Sequence, residues 1–94
     1  MTCYRITRLK ALDSDKVREI GEGTREAVAI RGADFIDVAE DNVGNMVVIA
    51  RYPDESTMEA ATATAQDAFG RMITQGAADS SSIDQWNGGV MMSF

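Results

Sequence analysis

A chain of 94 residues is read as one domain, residues 1–94, because two independent cores need more chain, and at this size only roughly 65% of the unfolded surface is buried. Hydrophobic residues at 45% and charged residues at 26% exclude a disordered chain, and the formal net charge of −6 with singly scattered bases excludes nucleic acid and anionic membrane as natural partners. With no histidine and a single cysteine, the chain lacks the commonest general base and metal ligand and any internal disulfide.

Residues 3–10 alternate as a strand, Tyr4 and Ile6 pointing one way and Cys3, Arg5, Thr7 and Leu9 the other. Asp13, Ser14 and Asp15 supply helix-capping oxygens, and Val17, Ile20, Thr24, Ala27 and Val28 keep helical spacing to about residue 30. Gly21 and Gly23 weaken that helix, and Gly32 ends it. A second strand over 33–40, a turn "EDNVGN" and a third strand over 46–52 make a hairpin closed by Pro53. Ser56 and Glu59 have the spacing of a capping box for a second helix. That helix carries Met58, Ala61, Ala65, Ala68, Phe69, Met72 and Ile73 on one stripe and stops at Gly76. After the loop "ADSSS", "IDQWNGGVMMSF" is expected to be a last strand, with Gly88 and Gly89 marking a bulge or a close backbone approach.

The order β-α-β-β-α-β defines an α+β, ferredoxin-like fold: two βαβ halves forming a four-stranded antiparallel sheet with two helices on one face. The other face is the open question. Met46 to Ala50 are apolar without interruption, and Val90, Met91 and Met92 repeat this near the end, so both faces of those strands call for burial. A twofold homodimer packing its open sheet faces together meets that demand. The alternative is a monomer with chance apolar residues on its surface.

The opening strand "YRITRLKAL" with its acidic helix start, the run "RGADFIDVAEDNVGNMVVIARYPDES" and the closing "GGVMMSF" together resemble the dimeric α/β-barrel superfamily, most of all its antibiotic-biosynthesis-monooxygenase-type domains. The resemblance spans nearly the whole chain and rests on spacing and residue class. It implies a dimeric α/β barrel with a small-molecule cleft between helices and sheet in each protomer. In some such relatives polycyclic phenols are oxidised to quinones with no metal or flavin, so no cofactor is implied. Haem-degrading relatives use a histidine, which this chain lacks. Cofactor-free oxidation in the family draws on an asparagine, a tryptophan and an arginine or tyrosine, types supplied here by Asn42, Asn45, Trp86, Arg51 and Tyr52. The chain departs from the family at the start of the second helix, where Tyr52-Pro53 stands in place of the usual tryptophan.

From the residues themselves, the expected catalytic groups are Asp37, Tyr52 and Trp86, with Asn45, Arg51, Met58 and Met72 binding the ligand. Asp37, flanked on its face by Phe35 and Ala39, could act as a base; its alternative is a solvated edge residue or a partner for Arg5 across a dimer. Arg51 could hold an anionic or phenolate oxygen and Tyr52 could stack on a ring or share a proton. Their alternatives are a rim pairing with Asp54 or Glu55 and a half-buried dimer contact. Trp86 is either an aromatic wall or an interface anchor, and Met58 and Met72 either fill the core or line a soft pocket. Gly21-Glu22-Gly23 lacks the preceding strand of a phosphate loop, Cys3 reads as packing, and the acids at 13, 15, 54 and 55 sit where capping explains them, so no metal is expected. The functional expectation is a homodimer that binds a small molecule and oxidises a small aromatic or phenolic metabolite without a cofactor. The alternative is a non-catalytic dimeric ligand-binding or assembly module. The opening "MTCYRITRLKALD" has no apolar run of signal-peptide length, so a cytoplasmic location is expected.

Overall fold

The computed structural model describes residues 1–94. Strands β1 (Cys3–Lys10), β2 (Phe35–Glu40), β3 (Asn45–Tyr52) and β4 (Asp84–Gly89) form one sheet in the order β2-β3-β1-β4, every pairing antiparallel. Helices α1 (Ser14–Gly23) and α2 (Arg25–Ala29) lie between β1 and β2, and α3 (Glu55–Ala60) and α4 (Thr62–Thr74) between β3 and β4. This is the ferredoxin-like β-α-β-β-α-β arrangement, each expected helix being broken once. No helix is long and apolar enough to cross a membrane.

Register decides which side chains meet the helices, because directly paired residues share a face. Leu9 pairs with Met46, Thr7 with Val48 and Arg5 with Ala50. This phase is the buried one, Cys3, Arg5, Thr7 and Leu9 all being covered. Leu9, Ala11, Val17, Ile20, Met46, Met72, Ala77 and Ala78 form the larger core cluster. Cys3, Ala50, Tyr52, Met58 and Ala61 form a smaller one beneath α3. The opposite phase carries Tyr4, Ile6, Phe35, Asp37, Val47, Ile49, Arg51 and Trp86, and no element covers it. Phe35 meets Tyr4 edge to face there, with ring centroids 6.4 Å apart.

Three local expectations are corrected. The first helix does not run unbroken to residue 30. Thr24 turns its hydroxyl back to donate to the Gly21 carbonyl at 2.8 Å, in a stretch already loosened by Gly21 and Gly23, and the chain re-enters helix as α2. Ser56 and Glu59 do not form the capping box. Asp54 is the N-cap, its carboxylate accepting from the Thr57 backbone N–H at 2.7 Å, which starts α3 earlier than the S-x-x-E spacing places it. The last strand ends at Gly89. Beyond one further bond, Val90 N–H to the Thr2 carbonyl at 2.8 Å, the apolar tail leaves the sheet, with Met91, Met92 and Phe94 exposed. The close approach expected at the glycine pair is real and has a specific cause. The Trp86 indole folds back over Gly88, so that any Cβ there would clash with the edge of the ring at Cη2. The hairpin turn keeps glycine for another reason, since Gly44 stands at φ +87°.

Candidate functional site

The sheet's covered face is not filled. Between it and the helices lies a cleft of about 630 Å³, walled by Val48, Ala50, Ala65, Ala68, Phe69 and Met72 and roofed by Val17, Gly21, Thr24 and Val28. Small residues on β3 and α4 hold the layers apart without occupying the space between. Gly21 and Gly23 have nothing within 4 Å of where a Cβ would sit, so the helix carrying them stands clear of its neighbours. Charged residues gather at the mouth. Arg25 and Glu22 are paired there at 2.6 Å, and Ser14 donates to Glu40.

Polar groups converge deeper in, on β1 and the end of β3. Arg5 is only 5% exposed. Its Nη2 donates to Thr62 Oγ1 at 2.7 Å, and its Nε donates a long bond to Asn87 Oδ1 at 3.3 Å. Thr62 is the first residue of α4, directly after the break at Ala61. The guanidinium carbon lies 6.0 Å from the centre of the Tyr52 ring. Nη1 is buried and has no hydrogen-bond partner. Thr7, 1% exposed, completes the group and accepts a long bond from Gln85 Nε2 at 3.4 Å. Burial raises the Tyr52 phenol above its ordinary value, and the Arg5 charge only partly opposes this. Tyr52 therefore stays protonated at neutral pH and can donate a hydrogen bond, but is no base.

The expected site residues divide across the two faces. Tyr52 and Met72 do line the cleft. Met58 packs behind it in the smaller cluster, against Cys3 and Ala50. Asp37 stands exposed on edge strand β2 at the cleft's rim, and pairing with Ile49 puts its side chain on the uncovered face. Arg51 shares that face, its Nε 3.6 Å from Asp34 Oδ2, so its rim partner is Asp34 and not Asp54 or Glu55. Trp86, 57% exposed, is opposite Ile6 on the same open face. Asn45 is at the hairpin, its Nδ2 donating to Asp41 at 2.9 Å. Trp86 and Arg51 therefore do not line the cleft with Tyr52, and Asp37 reaches it only at the rim. A strand's successive residues face opposite ways, and these three fall on the phase of Ile6, not that of Arg5. Sequence reasoning missed Arg5 and Thr7 as site residues. The available signal was a charged residue in phase with Cys3 and Leu9. No group of three or more Cys, Asp or Glu side chains could hold a metal ion.

The sequence matches no family model and no curated protein. Solved structures do share its fold. The cofactor-independent oxygenase SnoaB from Streptomyces nogalater superposes with a TM-score of 0.75 at 13% identity, covering 98% of this chain and 95% of that one. A candidate antibiotic biosynthesis monooxygenase from Chloroflexus aurantiacus gives 0.69 at 12% identity, with 100% and 97% covered. A dimeric ferredoxin-like protein of unknown function from Jannaschia sp. gives 0.70 at 14% identity, with 96% and 100% covered. The chain thus shares its fold with these proteins, the ferredoxin-like fold expected from the order of its elements.

Proposed function

We propose that the chain is a cytoplasmic homodimer that binds a small aromatic or phenolic metabolite in the cleft of each protomer and oxidises it with dioxygen, without a cofactor. The observation that carries this reading is the cleft itself, about 630 Å³ of largely apolar space ending on Arg5, Thr7 and Tyr52. Apolar walls with a few convergent polar groups are the usual composition of a small-molecule site. The shared fold with a cofactor-independent oxygenase supports the choice of chemistry. Dimerisation would cover the open face, and a dimeric protein of the same fold supports that.

The reaction balances with dioxygen as sole oxidant. One phenol and one dioxygen yield one quinone and one water. A ring C–H and the phenolic O–H break, one oxygen atom becomes the new carbonyl and the other leaves as water, four electrons passing from substrate to oxygen. The chain's part is to bind the ring between Ala50, Ala68 and Met72, exclude water, and hold the phenolic oxygen near Arg5 and the Tyr52 hydroxyl.

A second reading is favoured by one observation: Arg5, Thr7 and Tyr52 are none of them bases at neutral pH. A site that binds without turnover has the same composition. Native mass spectrometry and an oxygen electrode separate the two, using 1,5-dihydroxynaphthalene in chelator-treated buffer. The proposed activity predicts a bound complex and one dioxygen consumed per quinone formed. A complex with no oxygen uptake above buffer selects the non-catalytic dimeric module, and the absence of any complex rejects the cleft as the site.

A further inference from the structure

Burying a cation with nothing to balance it is unfavourable, and proteins do so chiefly where a ligand supplies the missing charge. The chain's ion pairs are formed by Arg18, Arg25, Arg51 and Arg71, all on exposed or half-exposed sites. Arg5, the most deeply buried charged group, is in none of them. Its other two nitrogens each have an acceptor, Nη2 in Thr62 and Nε in Asn87, and the Tyr52 ring flanks the guanidinium. Those contacts come from α4, β4 and β3, so three elements hold the group still while Nη1 remains without an acceptor.

We infer that Arg5 is an anion anchor, whose free Nη1 receives one negatively charged oxygen, a phenolate or a carboxylate, on an otherwise flat apolar molecule. The inference deepens the binding function proposed above and rests on the cleft being a ligand site. Charge at the mouth is already neutralised in the Arg25–Glu22 pair, so the unbalanced positive charge belongs to the deep end. One nitrogen without an acceptor suits a single anionic oxygen. A phosphate, with more acceptors and a second charge, would find too few partners beside Arg5, Thr7 and Tyr52. The rest of the ligand meets Ala50, Ala65, Ala68 and Met72, which offer shape and no polar contact.

The test compares matched probes on the intact protein by isothermal titration: 1-naphthoate, its neutral isostere 1-naphthamide, and 1-naphthol. The anchor predicts that 1-naphthoate binds roughly ten- to hundredfold more tightly than the amide, the worth of a hydrogen bond to a charged group. The phenolate source is read by absorbance. Bound 1-naphthol should show the phenolate band at a pH where the free phenol is neutral, and its presence or absence tells phenolate from carboxylate recognition. The Arg5→Met protein should lose the preference for 1-naphthoate over the amide, and Arg5→Lys should keep part of it. Equal affinity for the two naphthalene probes in the unaltered protein, or an undiminished preference in Arg5→Met, overturns the anchor while leaving the cleft reading intact. Binding of no probe overturns both. Because the comparison in the unaltered protein needs no variant, a variant that fails to fold does not remove the test.

Discussion

If Arg5 is held for a ligand and not for the fold, removing its charge should stabilise the protein while it abolishes anion binding. Methionine is the informative replacement, since it has a similar length and suits an apolar pocket. A buried ion retains a penalty of several kcal/mol after relaxation. Against this stand one good charged hydrogen bond, to Thr62 at 2.7 Å, and one long one, to Asn87 at 3.3 Å, together worth about 2–4 kcal/mol. The Tyr52 ring at 6.0 Å adds about 1 kcal/mol at most. Thr62 does not lose every partner, because its hydroxyl also reaches the Met58 carbonyl at 3.5 Å. The balance favours methionine by about 1–2 kcal/mol, equivalent to a rise in Tm of about 4–16 °C for a domain of this size. Urea unfolding followed by circular dichroism, at matched protein concentration because a dimer's stability depends on it, measures the difference. A loss of more than about 1 kcal/mol in Arg5→Met would show that the guanidinium is a structural strut and refute the reasoning. A site kept at the expense of stability is the familiar form of an activity–stability trade-off.

On the open face, Ile49→Lys should convert the proposed dimer to a single chain in size-exclusion chromatography with light scattering, with the circular dichroism spectrum retained. An unaltered protein that already elutes as one chain would remove the dimer. Gly88→Ala must push the indole of Trp86 off the strand, so the emission of this single tryptophan should shift. An unchanged spectrum would contradict the packing. Acid should weaken the fold in a defined window. Asp41, held low by the Asn45 side chain and by the Val43 and Asn45 backbone N–H groups, Asp54 by Thr57 and Asp79 by Ser81 all have folded values below the ordinary aspartate range. The sign follows: their contribution is complete above the unfolded value of about 3.9 and is lost as pH falls through the lower folded values. In high salt, which screens the excess negative charge, the urea midpoint should be level from neutral pH to about 5 and fall below about 4. A midpoint that rises on acidification in the same salt contradicts the hydrogen bonding of these carboxylates.

Much of the fold was legible because period-two alternation and turn residues report strands directly. The first strand is expected over 3–10 and found at Cys3–Lys10, and the hairpin of β2 and β3 turns at Gly44 as its residues require. Where the helices bend was not legible. Gly21 and Gly23 weaken the first helix without marking the residue at which it breaks, which the Thr24 hydroxyl bonding backward decides, and Ala61 carries no breaking signal of its own. The site was legible only in part for a reason of symmetry. In β1 both phases are credible cores: Tyr4 and Ile6 on one side, Cys3 and Leu9 on the other. The helices choose between them, and alternation alone does not reveal the choice. Arg51 and Trp86 drew attention as chemically rich residues, yet one residue of phase separates Arg51 from Tyr52 and Trp86 from Asn87, and in a sheet that is the difference between two faces.

The cleft and the proposed dimer are also linked through stability. Only 17 of the 94 residues are buried, and the space a core would fill between sheet and helices is largely the cleft, lined by alanine at 50, 65 and 68. Filling it with larger side chains would gain burial and lose the site. The apolar surface that can offset this lies on the other side of the sheet, where Tyr4, Ile6, Val47 and Ile49 are only partly covered and Trp86 is 57% exposed. A sheet packed against its copy would bury that surface without touching the cleft, so one face of the same four strands can supply stability while the other stays open for a ligand. On this account the Ile49→Lys monomer should be less stable than the parent by urea unfolding, while 1-naphthoate, once the chain is folded, still binds the cleft of that monomer. Loss of binding in a folded monomer would show instead that the partner helps to build the site.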